Sequence, residues 1–235
     1  MGIRLEALEF DANDPERLAA FWAAILGREP SSTTRLPGLV DTDFEVRFVP
    51  ERQPKPAGRH RMHFDLTSAS DEEQAATVRR ALELGASHLD VGQRGDEGHV
   101  VLADPEGNEF CVIESSSRFL ANTARIGGIA GEGMPEVGYF WSEVLGWPLV
   151  WDQDEETAIQ SPRGGVKITW GGPPIPAKLH RNRLRWVLRA TAPAGEEIHR
   201  LQEMGATIVR AEGQGVELAD PEGNEFTIAD VEAPQ

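Results

Sequence analysis

The chain begins with an alternating stretch of apolar and polar residues and then changes to helical spacing. Residues 4–10 alternate as a strand, and the apolar side chains between positions 18 and 25 recur at intervals of three and four. Asp14 stands where a helix N-cap is expected, Pro15 at the first helical position and Gly27 just past the last one. The pattern therefore predicts a strand followed by a helix from Pro15 to Gly27.

The same two patterns continue through the next ninety or so residues. Residues 44–49 and 62–67 alternate as strands, and Ser70 with Glu73 forms a capping box for a second helix that ends near Gly85. Further strands are predicted at residues 88–91, 99–103 and 109–114. Strands and helices thus follow one another in the order βαβββ, twice in succession, which predicts an α+β fold.

A heptapeptide, Asp-Pro-Glu-Gly-Asn-Glu-Phe, occurs at residues 104–110 and again at residues 220–226. The motif Phe-Trp-x-x-x-Leu-Gly at residues 21–27 likewise returns at residues 140–146. A period above about 100 residues is too long for a solenoid and indicates the duplication of a whole domain. We expect one domain at residues 1–118, a linker at residues 119–124 and a second domain at residues 125–235.

Composition narrows the classes of function. The 235 residues are 40% hydrophobic and 26% charged, and the net charge of −16 would repel nucleic acids and anionic membranes. Cys111 is the single cysteine, so an intrachain disulfide is impossible. The longest apolar run, residues 18–26, is too short to span a bilayer, and the first residues lack the features of a secretory signal. We therefore expect a cytoplasmic protein whose partner is a small molecule, with no nucleic acid and no membrane.

The ordered motifs Phe-Trp-x-x-x-Leu-Gly, Arg-x-His-x-Asp-Leu at residues 61–66, Leu-Gly-Ala at residues 84–86 and the heptapeptide resemble those of the vicinal oxygen chelate superfamily. That superfamily contains glyoxalases, extradiol dioxygenases and bleomycin-resistance proteins, and the likeness is closest to the glyoxalase-like domain proteins of actinobacteria. It covers residues 3–115 and 125–231. The resemblance implies a tandem duplication in which each domain consists of two βαβββ modules whose curved sheets enclose a cleft.

Strand alternation indicates which side chains face such clefts. In residues 62–67 the apolar side chains of Met62, Phe64 and Leu66 form one face, which leaves His63 and Asp65 on the other. By the same rule the other residues predicted to face the clefts include Glu45, Arg47, Cys111, Lys167, Thr169, Arg185 and Thr227. The first half then offers a mixed set of charges and the second half a cationic one.

The resemblance implies metal ligands on four strands, each a histidine or a carboxylate. Only His63 matches outright, with Glu45 as a second candidate, because Cys111 and Thr227 stand where the last-strand carboxylates belong. We therefore expect no metal cofactor. The alternative is a divalent ion such as zinc, iron, manganese or nickel, held by His63 and Glu45.

Trp147 and Trp151 have no counterparts in the first half. A planar ligand could stack on them while Lys167 or Arg185 binds an anionic or carbonyl group, although packing at a domain seam would explain the two rings as well. The sequence favours a metal-independent protein, monomeric or homodimeric, that sequesters a planar or amphipathic natural product, as bleomycin-resistance proteins do.

The alternative is an enzyme of the same superfamily, a lyase, isomerase, cyclase or dioxygenase. It would use a metal ion or, without one, His63 and Asp65 as acid and base. His63 could instead have a purely structural role. Cys111 is either a reactive thiol or an inert side chain that packs in the interior.

Overall fold

The computed structural model describes residues 2–40, 42–56, 58, 60–94, 97–175, 177–211 and 215–229. Four successive modules, each a strand and a helix followed by further strands, make up the chain. The first contains β1 (Ile3–Ala12), α1 (Pro15–Leu26), β2 (Arg35–Leu36) and β3 (Glu45–Pro50). The second contains β4 (Met62–Leu66), α2 (Asp71–Glu83), β5 (Ser87–His88), β6 (Val100–Ala103) and β7 (Glu109–Val112).

The second half repeats this order. Its third module contains β8 (Ile126–Gly131), α3 (Pro135–Leu145), β9 (Leu149–Gln153), β10 (Glu156–Gln160) and β11 (Lys167–Trp170). The fourth contains β12 (Leu184–Ala190), α4 (Ala194–Glu203), β13 (Thr207–Ala211), β14 (Gly215–Ala219) and β15 (Glu225–Ala229). The tandem duplication expected from the repeats and the α+β class are confirmed.

The modules combine into two sheets, and each sheet takes one module from each half. The seven-stranded sheet has the order β13-β14-β15-β12-β1-β3-β2, and the eight-stranded sheet has the order β5-β6-β7-β4-β8-β11-β10-β9. The expectation that a cleft combines the modules of one half is therefore wrong in its pairing. Glu45 and Arg47 lie on the seven-stranded sheet, whereas His63, Asp65 and Cys111 lie on the eight-stranded sheet.

The boundary proposed at residues 119–124 falls between β7 and β8, and both sheets are built across it. The division into domains stays a prediction.

Local signals placed the helices correctly. The Asp14 carboxylate accepts a hydrogen bond from the backbone N–H of Arg17 at 3.1 Å, and Gly27 ends α1 in the left-handed conformation at φ 65°. Ser70 accepts from the N–H of Glu73 at 3.2 Å and so caps α2. These caps satisfy donors that a helix cannot pair internally.

The repeated heptapeptide joins the last turn of one module to the helix of another. Asp104 accepts hydrogen bonds from the indole N–H of Trp22 and from the side chain of Asn108, and burial raises the pKa of Asp104 to about 6. Glu106 accepts from the backbone N–H groups of Asn13 and Asp14, each at 2.8 Å, at the start of α1. The acidic residues of the motif therefore have a structural role, which is to hold α1 in place.

The second copy of the heptapeptide makes equivalent contacts. Asp220 accepts from Trp141, and Glu222 accepts from the backbone N–H of Met134 at 2.9 Å, just before α3. The motif is thus a structural device in both halves.

One hydrophobic core extends over both sheets. Trp22 of α1 contacts the rings of Phe10 on one sheet and of Phe64 and Phe110 on the other. No helix in the described ranges is long and apolar enough to cross a membrane.

Candidate functional site

The eight-stranded sheet has one face that packs on the core and one that does not. Met62, Phe64 and Leu66 of β4 are buried in the core, as predicted, and His63 and Asp65 project from the opposite side. We call this opposite side the open face. Asp65 pairs in register with Cys111 of the neighbouring strand β7, so the thiol lies beside the carboxylate.

His63, Asp65 and Cys111 form a compact cluster on the open face. The Nε2 atom of His63 is 3.4 Å from Oδ1 of Asp65, and potential ligand atoms of the three residues all lie within 4.8 Å of one another. Within the described part of the chain, this is the one group of three such side chains that could hold a metal ion. The His63 side chain remains 30% exposed, so a molecule on the open face can reach it.

Charge at the cluster is set by burial and by the neighbouring carboxylate. Burial of the imidazole would lower the pKa of His63, but the hydrogen bonds to Asp65 and Cys111 outweigh this effect and hold that pKa above its usual value. Burial raises the pKa of the Cys111 thiol. At neutral pH the cluster therefore contains an imidazolium and a neutral thiol beside Asp65.

Two rows of residues extend from the cluster across the sheet into the second half. One row runs from Asp65 through Gly128 to Lys167, and a parallel row runs from His63 through Ala130 to Thr169. The second row continues through Ala158 to Trp151. Because neighbouring strands are about 4.8 Å apart, Asp65 and Lys167 stand on strands about 10 Å apart.

The small residues in these rows leave space between the larger side chains. Gly128 and Ala130 separate the cluster from Lys167 and Thr169, while Ala158 separates Thr169 from Trp151. The open face therefore carries hydrogen-bonding groups on one side, an ammonium group in the middle and an indole ring on the other side.

The linker between the halves runs over this face, and we call its residues 119–124 the strap. Leu120 is 5% exposed and packs where side chains on Gly127 and Gly128 would otherwise stand. The ring of Phe119 meets that of Trp151 edge-on, with centroids 6.2 Å apart. Lys167 donates a hydrogen bond to the carbonyl oxygen of Phe119, and its ammonium lies 4.5 Å from the centre of the Phe119 ring.

A cavity of about 240 Å³ lies beside the strap. Thr67 at the end of β4, Ile113 at the end of β7 and Leu120 of the strap all contribute to its walls. The Thr67 hydroxyl also donates a hydrogen bond to the carbonyl oxygen of Ala124 at 2.9 Å, which fixes the end of the strap.

The seven-stranded sheet presents ion pairs, some within the first half and some between the two halves. Glu45 binds Arg35 and Arg47 at 2.7 and 2.6 Å, and Glu6 binds Arg47 at 2.7 Å and Arg189 as well. Burial would raise the pKa of Glu6, but the two arginines outweigh it and lower that pKa to about 2. The predicted metal pair of His63 and Glu45 is therefore wrong, because Glu45 lies on the other sheet and is committed to two arginines.

Arg185 is likewise committed. It is 2% exposed, and its guanidinium binds both carboxylate oxygens of Asp11 and the carbonyl oxygen of Asn182. The expectation that the second half forms a cationic cleft fails here, because strand pairing brings carboxylates of β1 beside the arginines of β12. Thr227 is on β15 of the same sheet, whereas Lys167 and Thr169 are on the eight-stranded sheet.

The two tryptophans without counterparts play different parts. Trp151 is 37% exposed and contacts the strap, whereas Trp147 packs, partly buried, against the core. Phe119 and Leu120 are not among the site residues predicted from the sequence. Their signal was available, because they are a bulky apolar pair in a linker that is otherwise small or polar.

A second cavity, of about 220 Å³, lies between the loops that carry His60 and Lys178. Several basic side chains line it, but carboxylates neutralise them. Lys178 binds Glu225 at 2.6 Å, and Arg181 binds Glu217. This cavity therefore has no evident preference for an anion.

Sequence comparison decides the family. The profile of the glyoxalase-like domain matches residues 7–113 and 131–229, one match in each half. The chain belongs to the glyoxalase-like domain family. No curated protein sequence matches it.

A full-length solved structure supports the fold, and a shorter one matches about half of the chain. Glyoxalase I from Zea mays superposes with a TM-score of 0.67 at 13% identity, and the match covers 97% of this chain and 92% of that one. A glyoxalase/bleomycin resistance protein from Albidiferax ferrireducens T118 has 19% identity and a TM-score of 0.34, and it covers 46% of this chain and 93% of its own. At 13% identity the likeness to glyoxalase I shows the fold alone.

The donor atoms of the cluster are chemically suited to a divalent metal. Zinc accepts imidazole nitrogen, thiolate sulfur and carboxylate oxygen, and catalytic zinc sites use about three protein ligands. His63, Asp65 and Cys111 would supply them. Both the imidazolium and the thiol would first have to lose a proton, so such binding would strengthen as the pH rises.

Proposed function

We propose that this protein binds a small organic molecule on the open face of the eight-stranded sheet, without a metal ion. The observation that carries the proposal is the contrast between the two sheets. The charged groups of the seven-stranded sheet described above are paired with one another, either within the first half, as Glu45 and Arg47 are, or across the halves, as Arg185 and Asp11 are. On the open face, His63 is partly exposed, and the ammonium of Lys167 contacts only a carbonyl group and a ring in the described contacts.

The chemistry of the open face indicates what kind of molecule fits. The His63 imidazolium and Lys167 ammonium can both donate hydrogen bonds to an oxygen acceptor, and Trp151 offers an aromatic surface at the far side. The intervening small residues leave room for a flat body. A planar or amphipathic molecule with an oxygen acceptor satisfies all three features.

Metal-independent binding is favoured by the protonation of the cluster. A protonated imidazole and a neutral thiol are poor metal ligands, and Asp65 already stabilises the imidazolium. His63 in this state would act as a hydrogen-bond donor to the bound molecule. It would equally serve as a general acid if the molecule reacts, with Asp65 orienting the ring.

The second candidate is a metal-dependent enzyme of the glyoxalase-like family. The convergence of donor atoms from His63, Asp65 and Cys111 favours it. A bound divalent ion would supply Lewis-acid polarisation of a substrate oxygen. In that case His63 and Cys111 would be deprotonated ligands rather than donors of hydrogen bonds.

The experiment combines elemental analysis with a binding screen. The purified protein is dialysed in turn against zinc, iron, manganese and nickel salts, washed, and assayed for bound metal beside a His63→Ala variant. A library of small aromatic and amphipathic compounds is then screened by thermal shift in the presence of a chelator. Hits are retested on His63→Gln and, as a matched control on the other sheet, on Thr227→Ala.

We expect no stoichiometric metal and hits whose affinity falls at least about tenfold in His63→Gln but not in Thr227→Ala, since a hydrogen bond to a charged group contributes about 1.5–3 kcal/mol. One equivalent of metal that disappears in His63→Ala would support the metal enzyme instead. Hits that depend on Thr227 would move the site to the seven-stranded sheet.

A further inference from the structure

The strap lies across the same surface that a ligand would occupy. Leu120 is almost fully buried, and an added Cβ at Gly128 would meet both its methyl group at 3.5 Å and the Asp65 carboxylate at 3.2 Å. Leu120 therefore sits beside the cluster of His63, Asp65 and Cys111. An apolar side chain of the protein fills space next to the most reactive groups of the open face.

Phe119 presents two kinds of group to the surrounding side chains. Its carbonyl oxygen accepts a hydrogen bond from Lys167, and its ring lies under the same ammonium, 4.5 Å from Nζ to the ring centre. Trp151 meets the same ring edge-on, with an interplanar angle of 83°. Lys167 and Trp151 together therefore hold an aromatic ring that has an oxygen acceptor close to it.

We propose that the strap is an internal occupant of the binding site and that the ligand which displaces it is an aromatic carboxylate. The inference rests on the proposed function of the open face. The ring of the ligand takes the place of Phe119 against Trp151, and its carboxylate takes the place of the Phe119 carbonyl group at Lys167. A carboxylate binds an ammonium more strongly than a carbonyl group does, so exchange favours an anionic ligand.

The contacts of the strap are suited to exchange. Two hydrogen bonds join described strap residues to side chains of the sheet, one from Lys167 to Phe119 and one from Thr67 to Ala124. Its other described hydrogen bonds are local: Ala121 donates to the carbonyl oxygen of Arg118, and Thr123 donates to that of Leu120. Arg125, just beyond it, is fixed by hydrogen bonds to Thr67 and Thr77, and so provides an anchored end about which the strap can swing.

The cavity beside the strap is smaller than a typical ligand pocket. Its volume of about 240 Å³ lies below the range of about 300–1,000 Å³ that is typical of ligand pockets. Leu120 forms part of its wall, so movement of the strap would join this cavity to the space above Gly128. The site with the strap in place is therefore a closed form.

The test measures binding of 1-naphthoate by isothermal titration calorimetry. The proteins are the wild type, a strap variant with Phe119→Ala and Leu120→Ala, and the strap variant with Lys167→Met added. Leu179→Ala, which removes an exposed leucine elsewhere, is the control. Hydrogen exchange of the wild type with and without 1-naphthoate provides a second measurement that needs no variant.

We expect the strap variant to bind 1-naphthoate at least about tenfold more tightly than the wild type, because a site that is open in about one-tenth of molecules loses affinity by that factor. Lys167→Met should abolish the gain, and Leu179→Ala should leave affinity unchanged. Hydrogen exchange in residues 119–124 should become faster when 1-naphthoate is bound. A binding constant that is the same in wild type and strap variant, with unchanged exchange, would overturn the strap proposal.

The outcomes separate this inference from the proposed function. Equal binding to both proteins that still depends on His63 would leave the open face as the site and reject the strap as its occupant. Binding of neutral library compounds at His63, with none of 1-naphthoate, would reject the carboxylate class. Failure of every compound to depend on His63 would reject both proposals.

Discussion

Arg185 of the second half and Asp11 of the first half form a bidentate ion pair, with nitrogen to oxygen distances of 2.6 and 2.7 Å. Their side chains are only 3% and 8% exposed. The pair shows how the duplicated halves have become one unit. Strand β1 lies beside β12, so a carboxylate of one half and a guanidinium of the other come into contact.

This ion pair should matter for stability. We expect Arg185→Met or Asp11→Asn to lower the free energy of unfolding by about 3–5 kcal/mol, because each leaves a buried partner uncompensated. Arg35→Met, which breaks the more exposed pair with Glu45, should cost under about 1 kcal/mol. Urea denaturation measures all three. Equal losses at both sites would contradict the importance of burial.

The crossing of halves between sheets predicts the behaviour of fragments. Residues 1–118 alone expose the edge of β1 that pairs with β12 and the edge of β4 that pairs with β8. Such open edges recruit other strands. We expect either half expressed alone to dimerise or aggregate, and the two halves expressed together to form a soluble one-to-one complex. Light scattering after gel filtration provides the measurement, and a stable, folded monomer of one half would contradict the prediction.

Glu106 and Glu222 should stabilise the helices that they cap. Glu106→Gln or Glu222→Gln weakens hydrogen bonds to the backbone N–H groups that precede α1 or α3 and removes a charge favoured there by the helix dipole. We expect each change to cost about 1–2 kcal/mol in thermal or urea unfolding. Glu16→Gln, an exposed residue within the first turn of α1, is the control and should change stability less. A larger effect at Glu16 would show that charge alone is responsible.

The pKa of His63 makes a prediction about pH. Its folded pKa is raised, so the stability that this proton contributes is fully present below the ordinary histidine value and is lost as the pH rises through the folded value. We expect NMR titration to show the His63 ring still protonated at pH 7.5. In Asp65→Asn, burial should dominate and bring the pKa below that of the wild type. An ordinary histidine pKa for His63 in the wild type would contradict the presence of an imidazolium in the binding site.

Local features of the fold could be predicted from the sequence because local contacts determine them. Asp14 and Gly27 mark the ends of α1, and the alternation of Met62 and His63 assigns each to its face of β4. The pairing of modules could not be predicted in this way. Nothing in residues 44–49 distinguishes a sheet shared with β12 from one shared with β4, so the pattern alone also allows Glu45 to lie beside His63.

The candidate site could be predicted only in part, because some of its contacts are local and others depend on how the strands pair. The pair of His63 and Asp65 follows from a spacing of two along one strand, and its contact is observed. The position of Lys167 near that pair depends on β8 lying between β4 and β11, which is a long-range property. The role of the strap depends on where a linker crosses a sheet, and no periodicity encodes that path.

The most direct measurement locates a bound compound on the protein. Hits from the thermal-shift screen are added to protein with labelled tryptophan indoles and histidine rings, and NMR shifts of Trp151 and His63 are compared with those of Trp186, a core residue of the other sheet. Binding on the open face predicts that Trp151 and His63 shift together at the same ligand concentration while Trp186 remains unchanged. Hits that shift Trp186 and leave both other signals in place would contradict the assignment of the site.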